Sequence, residues 1–164
     1  MNTQEFNDKF EEILKEEWTT LKQEEGKRLS TEFRNELVKR ILLQRFPWPP
    51  LSSGYAAWKK SKALDPRTLI ARRDYVKSIQ TRKVDDDTWV VEPPDRQHYS
   101  GLTYKMLAMV HEFGSSKRNI PPRPHWRPMI AEYQKKQPAI NKVMRRKLYT
   151  RVQERLGKEI TPNF

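Results

Sequence analysis

His98, His111 and His125 are the three imidazoles of a 164-residue chain that contains no cysteine. An imidazole binds zinc or moves a proton when a second ligand or a carboxylate stands at matched spacing. No two of these histidines are three or four residues apart, and the adjacent side chains of His111 and Glu112 diverge on a helix. Asp85-Asp86-Asp87 suggests a divalent cation, but the glycine and distal glutamate of a calcium loop are missing, so the run reads as a turn. Ser52 and Ser53 lack the Gly-x-Ser-x-Gly setting of a hydrolase elbow. The five glycines are scattered and build no phosphate-cradling loop. Without cysteine there is no disulfide, thiolate metal site or thiol nucleophile. The expectation is a protein that is not an enzyme, with no cofactor and no metal.

A second constellation suits docking better than bond-making. His111-Glu112-Phe113-Gly114 is followed by Ile120-Pro121-Pro122-Arg123-Pro124-His125-Trp126-Arg127-Pro128. Proline fixes φ and biases the residue before it toward extended backbone. The segment has few conformations to lose, and it is expected to present Arg123, His125, Trp126 and Arg127 from a stiff exposed track.

Charge adds a direction. The formal net charge is +12. Residues 1–46 hold nine Lys/Arg against ten Asp/Glu, a balance of −1, whereas residues 115–158 hold thirteen against two, a balance of +11. Such asymmetry points to an anionic partner for the C-terminal part: nucleic acid, an acidic protein face or an acidic subunit neighbour. A solvated basic helix with no specific ligand is the bland alternative.

The elements that must position these residues follow from periodicity. Phe6, Phe10, Ile13, Leu14, Trp18 and Leu21 line one helical face over residues 4–28. Gly26 and Ser30 are expected to close that helix, and Phe33, Leu37, Val38, Ile41, Leu42 and Phe46 to continue in a second, antiparallel one. Pro47, Pro49 and Pro50 stop it. Ser52 is placed to cap a short helix carrying Tyr55 and Trp58. Residues 74–83 alternate and Thr88–Glu92 forms a second strand, giving a β-hairpin around the aspartate turn. Leu102, Met106, Met109, Val110 and Phe113 define a short, mostly buried helix that Gly114 ends. Pro128 fits the first turn of a final helix, which is expected to break or bend near Gln137 ahead of Pro138. Beyond it Ile140, Val143, Met144, Leu148, Val152 and Leu156 form a stripe, with Arg145, Arg146, Lys147, Arg151 and Arg155 largely off it. The fold class is α+β: a small antiparallel sheet packed by helices, with an N-terminal helical pair and a long C-terminal basic helix. The expected divisions are an N-terminal helical arm at 1–46, an α+β domain at 47–158 and a tail at 159–164. No stretch approaches the roughly 18 apolar residues of a membrane span, and no membrane partner or secretory signal is expected.

Taken in order, Leu51-Ser52-x-x-Tyr55-x-x-Trp58-Lys59, the hairpin, Tyr104 to Gly114 and the Pro-rich run through Arg127-Pro128 resemble tailed-bacteriophage tail-completion proteins, also called virion-morphogenesis or neck proteins. The resemblance spans roughly residues 47–150. It implies a small α+β domain that assembles into a ring, commonly of six copies, between the head connector and the tail. It implies a structural role in the virion neck, assembled in the host cytoplasm, with no catalytic residues. Partners would be further copies of the chain, the head connector or adaptor, tail terminator or tube proteins, and DNA in transit. The segment before residue 47 would be an added arm. The contact residues expected on this reading are His111, Glu112, Phe113, Gly114, Pro121, Pro122, Arg123, Pro124, Trp126, Arg127, Arg145, Arg146 and Lys147. A basic DNA-binding accessory protein is the alternative.

Overall fold

A computed structural model describes residues 2–160. It is α+β: five helices around one two-stranded antiparallel sheet. Helix α1 runs Thr3–Leu42, α2 Ser53–Ser61, α3 Asp74–Ser78, strand β1 Gln80–Lys83, β2 Trp89–Glu92, α4 Tyr104–Phe113 and α5 Trp126–Ile160. The tail expected at 159–164 begins inside α5, and its residues 161–164 lie outside the described residues.

The N-terminal segment up to Leu42 is one helix, not two. Asn2 caps α1 by accepting the Glu5 N–H at 2.8 Å, and the Glu5 carboxylate returns to Asn2 N at 2.8 Å, a reciprocal capping box. Gly26 does not stop the helix; a mid-helix glycine costs only about 1 kcal/mol relative to alanine. It is there for clearance, because a Cβ on Gly26 would lie 2.9 Å from Trp89 Cδ1. The glycine lets the hairpin's indole settle against the helix backbone.

Helix α5 likewise passes through Pro138 without ending. Proline removes one hydrogen bond, but α5 is fastened to the antiparallel α1 on both sides of it. Arg40 donates to both Glu132 carboxylate oxygens at 2.6 and 3.0 Å before the proline. Lys147 donates to Glu25 at 2.5 Å and Arg151 to Glu24 at 2.5 Å after it. Arg155 reaches Glu16 at 2.6 Å and Glu17 at 3.3 Å. Ion pairs between the first and last helices therefore satisfy the inner basic side chains of α5 within one chain.

The core gathers Leu37 and Ile41 of α1, Phe46, Ile70, Tyr75 and Val76 of α3, Ile79, Tyr104 and Ala108 of α4, and Met129 of α5. The N-terminal helix thus belongs to the same core as the residues after position 47. Each buried aliphatic or aromatic side chain here contributes about 1.5–3 kcal/mol. The expected first strand shortens to Gln80–Lys83, paired Gln80 to Glu92 and Lys83 to Trp89. The residues ahead of it form α3, because Tyr75 and Val76 are both buried. Consecutive inward side chains cannot come from an extended strand facing one core.

Helix α4 corrects a further expectation. Its inner face is Tyr104, Ala108 and Glu112, each one turn apart, whereas Met106, Met109 and Phe113 are 54, 61 and 61% exposed. A carboxylate has displaced the apolar stripe from the core side.

Candidate functional site

Gly114 ends α4 with φ +78°, in the region that favours glycine. A Cβ there would sit 2.8 Å from Ile120 O and 2.9 Å from Pro122 N. Ser115 and Ile120 exchange backbone hydrogen bonds of 2.8 and 2.9 Å, closing a tight loop over the 3-10 turn Ser116–Arg118. The chain then runs back along the end of α4, where Arg123 N donates to His111 O at 2.6 Å.

Here Glu112 explains its inward orientation. Its carboxylate accepts the backbone N–H groups of His125 at 2.8 Å, Trp126 at 3.0 Å and Arg127 at 3.0 Å, the otherwise unpaired donors at the start of α5. Arg127 Nε adds a fourth contact at 3.0 Å. A negative charge at a helix N-terminus also meets the positive end of the helix dipole. Burial opposes ionisation of Glu112, but the N–H groups of His125, Arg127 and Trp126 outweigh it and hold its pKa below the usual carboxylate range.

Beneath this cap lies a closed polar chain. His125 Nδ1 is 2.9 Å from Arg123 O and Nε2 is 2.6 Å from Tyr75 Oη. A carbonyl only accepts, so Nδ1 carries the proton, Nε2 accepts, and the Tyr75 hydroxyl donates to it. The Tyr75 oxygen in turn accepts from Trp126 Nε1 at 3.1 Å. Trp48 Nε1 donates to Pro124 O at 2.8 Å and stacks on Phe46 at 5.0 Å, holding the arm down from the other side. Burial lowers the pKa of His125 and pushes that of His111 down to about 3, helped by the nearby Arg123 guanidinium. Both imidazoles are therefore neutral near pH 7. His111 Nδ1 and Arg123 Nε are buried without a partner.

The Pro-rich segment is thus mostly a clamp, and the expectation of an exposed track is corrected for Arg123 and His125. Glu112, Arg123 and His125 are 4, 6 and 0% exposed; Arg123 turns in to donate to Pro50 O at 3.4 Å. These side chains make their polar contacts within the chain and offer almost no surface. Lys147 is also occupied, by Glu25. His111, Gly114, Pro124 and Trp126 are half-buried, and Pro121, Pro122, Phe113, Arg127, Arg145 and Arg146 remain at the surface. Phe113 carries the Arg127 guanidinium 4.9 Å above its ring, a cation–π contact.

Two of the supporting residues were invisible as such in the sequence. Tyr75 sits in what looks like an alternating strand. Lys59 is fully buried, with Nζ donating to Asp65 O at 2.9 Å and Arg67 O at 2.6 Å; burial lowers its pKa. Backbone carbonyls as partners leave no trace in residue types.

Besides its charged side chains, the surface carries two apolar faces and one cleft of mixed polarity. Met106, Met109 and Phe113 form an outward face on α4, beside Arg127. Phe6, Phe10, Leu14 and Trp18, spaced by four on α1, are each more than a third exposed. An open cleft of about 670 Å³ lies between Leu29 and Phe33 of α1, Trp89 and Val91 of β2, and Ile130 of α5. Among the described residues no group of three or more His, Asp or Glu is placed to hold a metal ion, and no helix is long and apolar enough to cross a membrane.

No family model matches this chain, and no solved structure matches it. It is similar to an uncharacterized protein of Methanocaldococcus jannaschii, 28% identical over 139 residues that cover 84% of this chain and 97% of that protein.

Proposed function

We propose that this chain is a structural subunit of a tailed-virus neck, forming a homo-oligomeric ring, of six copies on the family pattern, that completes the tail and joins it to the head connector. The observation that carries the reading is the pairing of a rigid clamp with an uncovered apolar face on one helix. Glu112 and Gly114 fix the end of α4 against α5, while Met106, Met109 and Phe113 on that helix face solvent. A ring needs a heterologous contact, one patch meeting a different patch on the next copy. The α4 face supplies one patch and the Phe6–Trp18 stripe of α1 supplies a second of different shape. Glu112, His125 and Tyr75 use their polar atoms in contacts within the chain, which supports an assembly role without a reaction of its own. Its partners on this reading are its own copies, the head connector or adaptor, and tail terminator or tube proteins, in a virion assembled in the host cytoplasm. Negative-stain imaging of the purified full-length protein tests it: closed rings of one symmetry are expected, and a field of monomers at tens of micromolar protein would count against it.

A further inference from the structure

Helix α5 carries basic side chains on two sides, and only one side is satisfied. Toward α1, Lys147, Arg151 and Arg155 are all paired with glutamates. Away from α1, Lys135, Lys142, Arg145 and Arg146 are exposed and make no ion pair among the described residues. No aspartate or glutamate occurs between Tyr133 and Gln153. The intervals of seven, three and one keep these four cations on one side of the helix, and at 1.5 Å rise per residue they span about 17 Å. Tyr149, 65% exposed, follows one turn later.

The chemistry of this strip selects its partner. A protein partner would be expected to meet an apolar centre, and a membrane surface would require a broad apolar face on the helix. This side offers only Val143 and Tyr149 as larger apolar groups. Single-stranded nucleic acid is held by successive stacking aromatics, and one tyrosine is too few. A band of cations along one side of the helix, free of acids and with few apolar groups, fits the phosphates of a nucleic-acid backbone. About 17 Å covers roughly five base pairs of duplex rise.

We propose that the outward side of α5, through Lys135, Lys142, Arg145 and Arg146, holds the phosphate backbone of duplex DNA without reading its sequence. The inference rests on the neck reading for its setting, since DNA must pass the neck, but its measurement does not require a ring to form. Four phosphate contacts give a slope of about −3.6 for log K against log salt. Binding of the full-length chain to a fluorescent 30-base-pair duplex should therefore weaken on the order of a hundredfold between 50 and 200 mM salt.

The triple variant K142E/R145E/R146E, at positions with no partner to lose, should keep its circular dichroism spectrum and lose at least tenfold in affinity, with a flatter salt slope. The charge-matched control K60E/K62E/K77E, on exposed positions of other segments, should bind as the parent does. Should the triple variant fail to fold, K142Q/R145Q/R146Q is read in its place. An equal loss in the control would assign binding to overall charge and overturn the proposal, as would absence of binding at 50 mM salt. Strip-dependent binding to phosphatidylserine vesicles with none to DNA would overturn it in favour of a membrane. Rings that form without DNA binding would end this inference and leave the neck reading standing; DNA binding by a monomer would do the reverse.

Discussion

The Glu112 carboxylate lies 2.8 Å from the backbone nitrogen of His125, and through that contact the last turn of α4 becomes the N-terminal cap of α5. A cap supplied by a neighbouring helix does two jobs. It satisfies donors that α5 cannot satisfy itself, and it fixes the angle at which the long helix leaves the core. Glu112→Ala should strand three N–H groups and the Arg127 side chain, with a loss of about 2–4 kcal/mol. Glu112→Gln retains one acceptor oxygen and should lose less. Urea unfolding followed by circular dichroism separates the two, and equal stability of parent and Glu112→Ala would contradict the capping role.

Acid should unfold this protein earlier than its basic composition suggests. His125 is buried and His111 half-buried with its Nδ1 shielded, and both are neutral with lowered pKa values, whereas unfolded imidazole titrates near ~6.5. Their contribution is complete above pH ~6.5 and is lost as the pH falls toward the folded value, about 3 for His111, at up to about 1.4 kcal/mol per pH unit for each histidine. Below about 4.5 the lowered pKa of Glu112 adds to the loss, because the unfolded carboxylate takes up its proton first. Unfolding midpoints at pH 7, 6 and 5 should decline steadily. His111→Leu, which removes a buried nitrogen without a partner, should make that decline shallower and leave stability at pH 7 unchanged or higher.

Three glycines should respond differently to alanine. Gly114→Ala places a Cβ against Ile120 O and Pro122 N at positive φ and should cost about 2–4 kcal/mol. Gly26→Ala gains helix propensity but must push back the Trp89 indole, so a loss of about 1 kcal/mol is expected. Gly157, whose Cβ position is open, should be stabilised by about 0.5–1 kcal/mol. Thermal denaturation of the three variants checks the order, and a stabilising Gly26→Ala would show that the indole does not need the space.

Charge reversal should split the C-terminal basic cluster in two. Lys147→Glu sets a carboxylate against buried Glu25 and should destabilise the monomer by about 2 kcal/mol. The exchange Glu25→Lys with Lys147→Glu should recover part of this, limited by Arg28, which also pairs with Glu25 at 2.8 Å. Arg145→Glu with Arg146→Glu should leave the melting temperature within about a degree, since neither side chain holds the fold.

Local chemistry was legible in the sequence. Ser52 caps α2 and accepts from Tyr55 N, Gly114 ends α4, Pro128 lies in the first turn of α5, and the aspartates lie between β1 and β2. Each of these is set by residues within a few positions. The failures share a cause in distant contacts. Gly26 looked like a stop because its reason, Trp89, is more than sixty residues away. Pro138 looked like a break or bend in the last helix, and it does not break it because ion pairs from α1 carry α5 past it. Glu112 looked like surface because its partners are N–H groups, which every residue type possesses. The basic charge of the C-terminal half looked available to a partner, yet much of it is matched by the acidic face of the same chain.

The proposed ring requires the outer face of α4 to join copies of this chain. Sedimentation velocity on the full-length protein, beside Met109→Glu and Phe113→Glu, tests it most directly. The parent should sediment as a closed oligomer, and each variant as a folded monomer with an unchanged circular dichroism spectrum, because both side chains are more than half exposed within one chain. A parent that stays monomeric at high concentration, or variants that assemble as it does, would contradict the claim.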